Sequence, residues 1–280
     1  MEKEFRENQR KEEKEKAGYS KSAKIKVALS RKKTNMDLIK KDVFGRSLFL
    51  KKWIIRIIAA LSYRRFNGIN KLHITGTDNF LDLPDTNVLL ISNHQTYFAD
   101  ATAIIHVINA ALNGRKNSIK GLSYVWRIKL NLYYIAAKET MSKDLLTKIL
   151  SYTGSIPVER TWRDGEKDLQ RKVNPENVKN IDAALADGWV ITFPQGTTKA
   201  WAPIRKGTAH MILKNKPKII PIVIDGFRRS FDKTGLFLKK KGVAQKMEIK
   251  PPLEIDYEND SIDNIVEKIG RAIEQDGSSQ

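Results

Sequence analysis

The stretch Asn87-Val88-Leu89-Leu90-Ile91-Ser92-Asn93-His94 decides the fold. A short, unbroken aliphatic run reads as a strand covered on both faces, the kind found in parallel sheets. It runs straight into Asn93-His94, so an imidazole stands where the strand ends. A helix is expected through Ala101-Thr102-Ala103-Ile104-Ile105-His106. Outward from this unit the pattern repeats. Tyr133 to Ala137 and Ser155 to Val158 read as strands, and residues 176–186 as a helix with Asn174 as its cap before Pro175. Trp189-Val190-Ile191-Thr192-Phe193 is a strand stopped by Pro194. A helix over 208–213, a strand over 219–224, a strand near 247–255 and a helix over 262–273 follow. Strands alternating with helices imply an α/β fold, a mostly parallel central sheet covered by helices.

Upstream of this region the character changes. Residues 1 to about 42 are dominated by Lys, Arg, Glu and Gln, as in Glu12-Glu13-Lys14-Glu15-Lys16, and read as a solvated, disordered tail or loose helix. Residues 43–68 contain an expected helix on which Trp53, Ile54, Ile57, Ile58 and Leu61 recur at helical spacing. Lys52 and Arg56 fall on the other side, and Lys51, Arg64 and Arg65 lie near the ends. That is the pattern of an amphipathic helix in a membrane interface, or of a surface helix packed on a core. Residues 69–280 are left for the main domain.

The chain has 280 residues, 41% of them hydrophobic, enough for one sizeable core. Its formal net charge of +19 attracts polyanions, either nucleic acid or an anionic membrane. Its aromatics do not interleave with cations as a nucleic-acid stacking platform requires, so no nucleic-acid partner is expected. With no cysteine, disulfides, thiol nucleophiles and thiolate metal sites are excluded. No clustered ligand set suggests a metal.

Among four histidines, His94 stands apart because it sits at the carboxyl edge of the expected sheet, where α/β ligand sites form. Asp100 follows it. A carboxylate bonded to one ring nitrogen fixes the tautomer and leaves the other nitrogen to take a proton. His73, His106 and His210 read as structural. Arg160 ends Ile156-Pro157-Val158-Glu159-Arg160, and its fork suits a phosphate. Gly196 and Thr197 follow the strand ending at Phe193, where a glycine permits a sharp bend. Arg205-Lys206-Gly207 places two cations at a helix start, where exposed amides favour an anion.

Taken in order, Ser92-Asn93-His94-Gln95-Thr96 with Asp100, Ile156-Pro157-Val158-Glu159-Arg160, Phe193-Pro194-Gln195-Gly196-Thr197 and Ile220-Pro221-Ile222-Val223 resemble the PlsC-type glycerolipid acyltransferases. The likeness runs from about Ile74 to Ile224. It implies that His94 is a general base, oriented by Asp100, moving an acyl group from acyl-ACP or acyl-CoA to the hydroxyl of a lysophospholipid such as 1-acylglycerol-3-phosphate. No bound cofactor is needed. Asn93, Arg160, Gln195, Gly196, Thr197, Lys199 and Lys206 would bind substrate, and Pro221 would help shape the acyl-donor side. Glycerol-3-phosphate or a lyso-aminolipid is the alternative acceptor; a non-catalytic basic binding protein is the alternative of another class. The expected location is the cytoplasmic face of the cell membrane, peripheral or monotopic, on an anionic surface.

Three departures from that pattern stand out. Gln95 to Ala99 separate His94 from Asp100 by five residues instead of the usual four, which on a regular helix turns the carboxylate by about 100°. Gln195 replaces the usual glutamate, and Thr198 the usual arginine, with Lys199 beside it.

Overall fold

A computed structural model describes residues 40–141, 145–159 and 174–276, together with the backbone of residues 163–164 and 167–168. The chain divides into two compact units, Met1–Leu50 and Lys51–Gln280. In the described part of the first, the Asp42 carboxylate accepts from the Phe44 and Arg46 amides and pairs with the Arg46 guanidinium at 2.7 Å. The expected tail, residues 1–42, lies outside the described residues except for its last three.

Helix α1 spans Leu48–Phe66, starting later than the periodicity suggests because Gly45 turns the chain at a φ of 75°. Ile55, Ala59, Ser62 and Phe66 are buried, while Trp53, Ile57 and Leu61 are exposed. Arg56 is not a free cation on a polar face. It donates to the carbonyls of Val125 and Trp126, each at 3.1 Å, and lies over the rings of Trp53 and Trp126. Among the described residues no helix is long and apolar enough to cross a membrane.

The sheet has seven strands: β1 (Lys71–Thr75), β2 (Val88–Ser92), β3 (Leu132–Ala137), β4 (Ser155–Val158), β7 (Trp189–Thr192), β8 (Lys218–Asp225) and β9 (Ala244–Ile249). Two-residue strands β5 (Arg163–Asp164) and β6 (Lys167–Asp168) pair separately. The order is β1-β9-β8-β2-β7-β3-β4, parallel except between β8 and β9. The last strand begins at Ala244, where it pairs with Lys71 of β1, and it ends earlier than the apolar pattern suggests because Pro251 and Pro252 follow and cannot donate to a ladder. Strand β2 is central, and Val88, Leu89, Leu90 and Ile91 are fully buried, each side chain contributing about 1.5–3 kcal/mol.

The covering helices are α2 (Ala99–Leu112), α3 (Lys138–Met141), α4 (Leu145–Ser151), α5 (Pro175–Asp187), α6 (Lys206–Asn215), α7 (Phe227–Ser230) and α8 (Ile262–Ala272). Asn174 does cap α5, its side chain accepting from the Glu176 amide. His106, on α2, is buried between Ser62 (2.9 Å) and the Tyr124 hydroxyl (2.7 Å). Ser62 donates to the Ile58 carbonyl, so it accepts from His106 Nε2–H, and Nδ1 accepts from Tyr124. Burial lowers the His106 pKa from 6.5 to about 4, keeping the ring neutral.

Candidate active site

Strands β2, β7 and β8 are parallel neighbours, so their carboxyl ends deliver residues 93–98, 193–199 and 225–230 to one edge of the sheet. Residues 95–98 are a loop, and helix α2 begins only at Ala99. The fifth intervening residue is therefore absorbed before the helix starts, and Asp100 sits in its first turn. Asp100 is fully buried and accepts four hydrogen bonds. His94 Nδ1–H (2.9 Å), the Gln95 amide (2.5 Å) and the Thr96 amide (3.0 Å) donate to Oδ2; the Thr96 hydroxyl (2.6 Å) donates to Oδ1. The helix start favours this anion as well. His94 stacks on Phe193 with ring centroids 4.0 Å apart, which fixes the imidazole plane. Its Nε2 has no partner among the described residues, and the ring lines a cavity of about 520 Å³.

The loop that carries Thr96 is held from behind. The amides of Tyr97 and Phe98 donate to the carbonyls of Lys233 and Thr234. Gly235 follows at a φ of +79°, and a Cβ there would lie 2.5 Å from the Ala99 amide nitrogen and 2.8 Å from Thr96 Oγ1. Only glycine fits that approach.

The other residues singled out from sequence are placed as follows. Both side-chain atoms of Asn93 are engaged by the backbone of Ile224, each at 2.8 Å, tying β2 to β8. Gly196 turns at a φ of 64° and lines the cavity. Thr197 accepts from the Lys199 amide at 3.3 Å, and Lys199 is exposed. Lys206 pairs with Asp263 of α8 at 2.7 Å; its neighbour Arg205 lines the cavity. Pro221 is buried in β8 beside Ile91. Arg160 lies outside the described residues. Glu159 lines the cavity, paired with Lys138 at 3.0 Å.

Gln195 is almost completely buried, at 1% exposure. Its amide nitrogen donates to the Ala202 carbonyl and to Gln275 Oε1, both at 2.9 Å. Gln275 Oε1 also accepts from the Trp201 amide at 3.2 Å. The neutral amide is thus required by its surroundings: two acceptors face it, and a carboxylate has no proton to give them. Gln275, beyond α8, clamps the loop over 195–202.

The cavity wall is largely apolar, with Ile135, Val178 and Ile181 among its side chains; Arg205 and Lys214 add positive charge, and Asp182 pairs with Lys214 at 2.6 Å. A smaller apolar cavity of about 40 Å³ lies between α1 and α2, and Tyr97, Ala101 and Tyr134 line both. Among the described residues no three His, Asp or Glu side chains converge as a metal site. Sequence reasoning missed the Phe193 stack, the Thr96 contacts and Gln275. Phe193 and Thr96 stand inside the quoted words. Gln275 carries no local signal.

A family model described as Acyltransferase matches residues 71–225, more than half of the 280-residue chain. Among solved structures, the crystal structure of the 1-acyl-sn-glycerophosphate (LPA) acyltransferase PlsC from Thermotoga maritima matches with a TM-score of 0.50 at 14% sequence identity, covering 80% of this chain and 78% of that one. At such identity the likeness speaks to the fold alone. No curated protein matches by sequence.

Proposed function

The chain belongs to the Acyltransferase family, and on that premise we propose that it moves a fatty acyl group from acyl-ACP or acyl-CoA to the hydroxyl of a lysophospholipid such as 1-acylglycerol-3-phosphate. The observation that carries this reading is the His94–Asp100 pair, 2.9 Å apart, with Nε2 open to the cavity. Nε2 takes the acceptor's hydroxyl proton as its oxygen attacks the thioester carbonyl. The C–O bond forms, the C–S bond breaks, and the imidazolium returns the proton to the leaving sulfur. Asp100 stabilises the imidazolium and, with Phe193, holds the ring in position. The apolar cavity wall suits the acyl chain. No cofactor is assigned a step.

The charge of +19 and the exposed Trp53, Ile57, Leu61 and Trp126 support a peripheral location on an anionic, cytoplasmic membrane surface. Glycerol-3-phosphate and a lyso-aminolipid are the other acceptors to compare; Asp182 and Glu159 on the cavity wall are already paired with Lys214 and Lys138 and do not single out an amine. Purified protein given acyl donor and a panel of acceptors decides between them. Phosphatidic acid should form fastest from lysophosphatidic acid, and His94→Ala should lower kcat by at least about 10³-fold. Wild-type turnover in His94→Ala would refute the mechanism.

A further inference from the structure

Asp225, the last residue of β8, leads into Gly226-Phe227-Arg228-Arg229-Ser230 at the same edge of the sheet as His94. Two buried residues pin this turn: Phe227 is in the core, and Ser230 Oγ donates to the Gly226 carbonyl at 2.7 Å. Arg228 lies between them and faces solvent. Its amide donates to Gln95 Oε1 at 3.0 Å, and Gln95 Nε2 donates back to the Ile224 carbonyl at 3.0 Å. Gln95 is the residue next to His94. From there the Arg228 guanidinium reaches the loop after Gly196, Nη2 donating to the Thr198 carbonyl at 2.7 Å.

One carbonyl uses one of five guanidinium donors. Among the described residues no carboxylate pairs with Arg228, whereas neighbouring Arg229 is spent on Asp225 at 2.8 Å. Thus a fixed guanidinium, with most of its fork open, spans the two loops that flank the proposed base. A planar cation with parallel donors suits phosphate oxygens, the anion that phospholipid acceptors and ACP or CoA thioesters share.

We propose that Arg228 binds a phosphate group of a substrate at the mouth of the His94 site, and that Gln95 and Thr198 set its position. The inference rests on the acyl-transfer reading above. The phosphate belongs either to the acceptor's headgroup or to the phosphopantetheine arm of the donor.

Arg228→Gln and Arg228→Lys separate these sources. If the acceptor supplies the phosphate, Arg228→Gln lowers the kcat/KM ratio of lysophosphatidic acid over monoacylglycerol by about 10–100-fold, and Arg228→Lys recovers part of it. If the donor supplies it, the ratio stays constant and the KM for the thioester rises by a similar factor. Calorimetric titration with inorganic phosphate gives a readout independent of turnover, and wild type should bind at least about 10-fold more tightly than Arg228→Gln. Equal phosphate affinity in the two proteins, with neither the ratio nor the donor KM changed, overturns the assignment. A wild type that transfers acyl to no acceptor yet loses phosphate binding in Arg228→Gln would sink the acyl-transfer reading and leave Arg228 as an anion site.

Discussion

Replacing Gln195 by glutamate should destabilise the protein, and the penalty should depend on pH. Gln195 is 1% exposed, and its Nε2 donates to two acceptors, the Ala202 carbonyl and Gln275 Oε1. A glutamate carboxylate would lose both bonds and bring negative charge against two oxygens. Rotating the Gln275 amide relieves one clash but sacrifices the contacts of Gln275 with the Trp201 amide (3.2 Å) and the Glu274 carbonyl (2.7 Å). Two buried hydrogen bonds lost and one desolvated carboxylate cost about 2–4 kcal/mol near pH 8. For a unit this size that lowers Tm by about 4–16 °C. The sign follows from the proton. Burial raises the folded pKa of the introduced carboxyl above its unfolded value, so the folded variant is stabilised by protonation. The protonated acid can donate to the Ala202 carbonyl, so the deficit against wild type shrinks as pH falls. Urea unfolding of both proteins at pH 8 and pH 5 reads this difference, and Gln195→Ala serves as a control with a pH-independent deficit. A Gln195→Glu protein as stable as wild type at pH 8, or a deficit equal at both pH values, would refute the reasoning.

Further expectations concern the neighbouring groups. Asp100→Asn leaves four donors facing one acceptor and an NH₂ group; kcat should fall about 10²–10⁴-fold with a smaller change in KM, measured with saturating donor. Neutral His106 takes a proton near pH 6.5 when unfolded and near pH 4 when folded. Stability should therefore drop by about 3 kcal/mol as pH falls through that window, and His106→Gln should flatten this part of the curve in denaturant titrations. Gly235→Ala drives a Cβ to 2.5 Å from the Ala99 amide; it should cost about 2–4 kcal/mol and lower kcat, because Thr96 and Asp100 shift together. Trp53→Ala combined with Trp126→Ala should weaken sedimentation with anionic vesicles several-fold while the unfolding midpoint changes little; unchanged sedimentation would argue against that face as the membrane contact.

Much of the fold is legible in the chain because its signals are local. The aliphatic run 88–91 can only be satisfied by cover on both faces, and Pro194 and Asn174 mark a strand end and a helix start within a few residues. The antiparallel turn of β9 onto β8 is not local, and the apolar pattern alone misplaces that strand's ends. The helix over 48–66 is readable as a helix, but the contacts of Arg56 with Val125 and Trp126 depend on a 3₁₀ turn some 70 residues away.

The sequence by itself determined the alternation of strands and helices, the order of three polar words at strand ends, and His94 with Asp100 as an imidazole and its neighbouring carboxylate. Spacing could not say whether the extra residue between them spoils their contact, because a loop, unlike a helix, has no fixed angle per residue. Only the tertiary structure decided that residues 95–98 stay out of the helix, that Gln195 needs a donor because Gln275 faces it, and that Arg228 reaches Thr198. Arg228 meets Thr198 because parallel strands gather their loops at one edge, and Gln275 meets Gln195 because α8 delivers it there; hydrogen bonds between such chain-distant groups leave no periodic trace in the sequence.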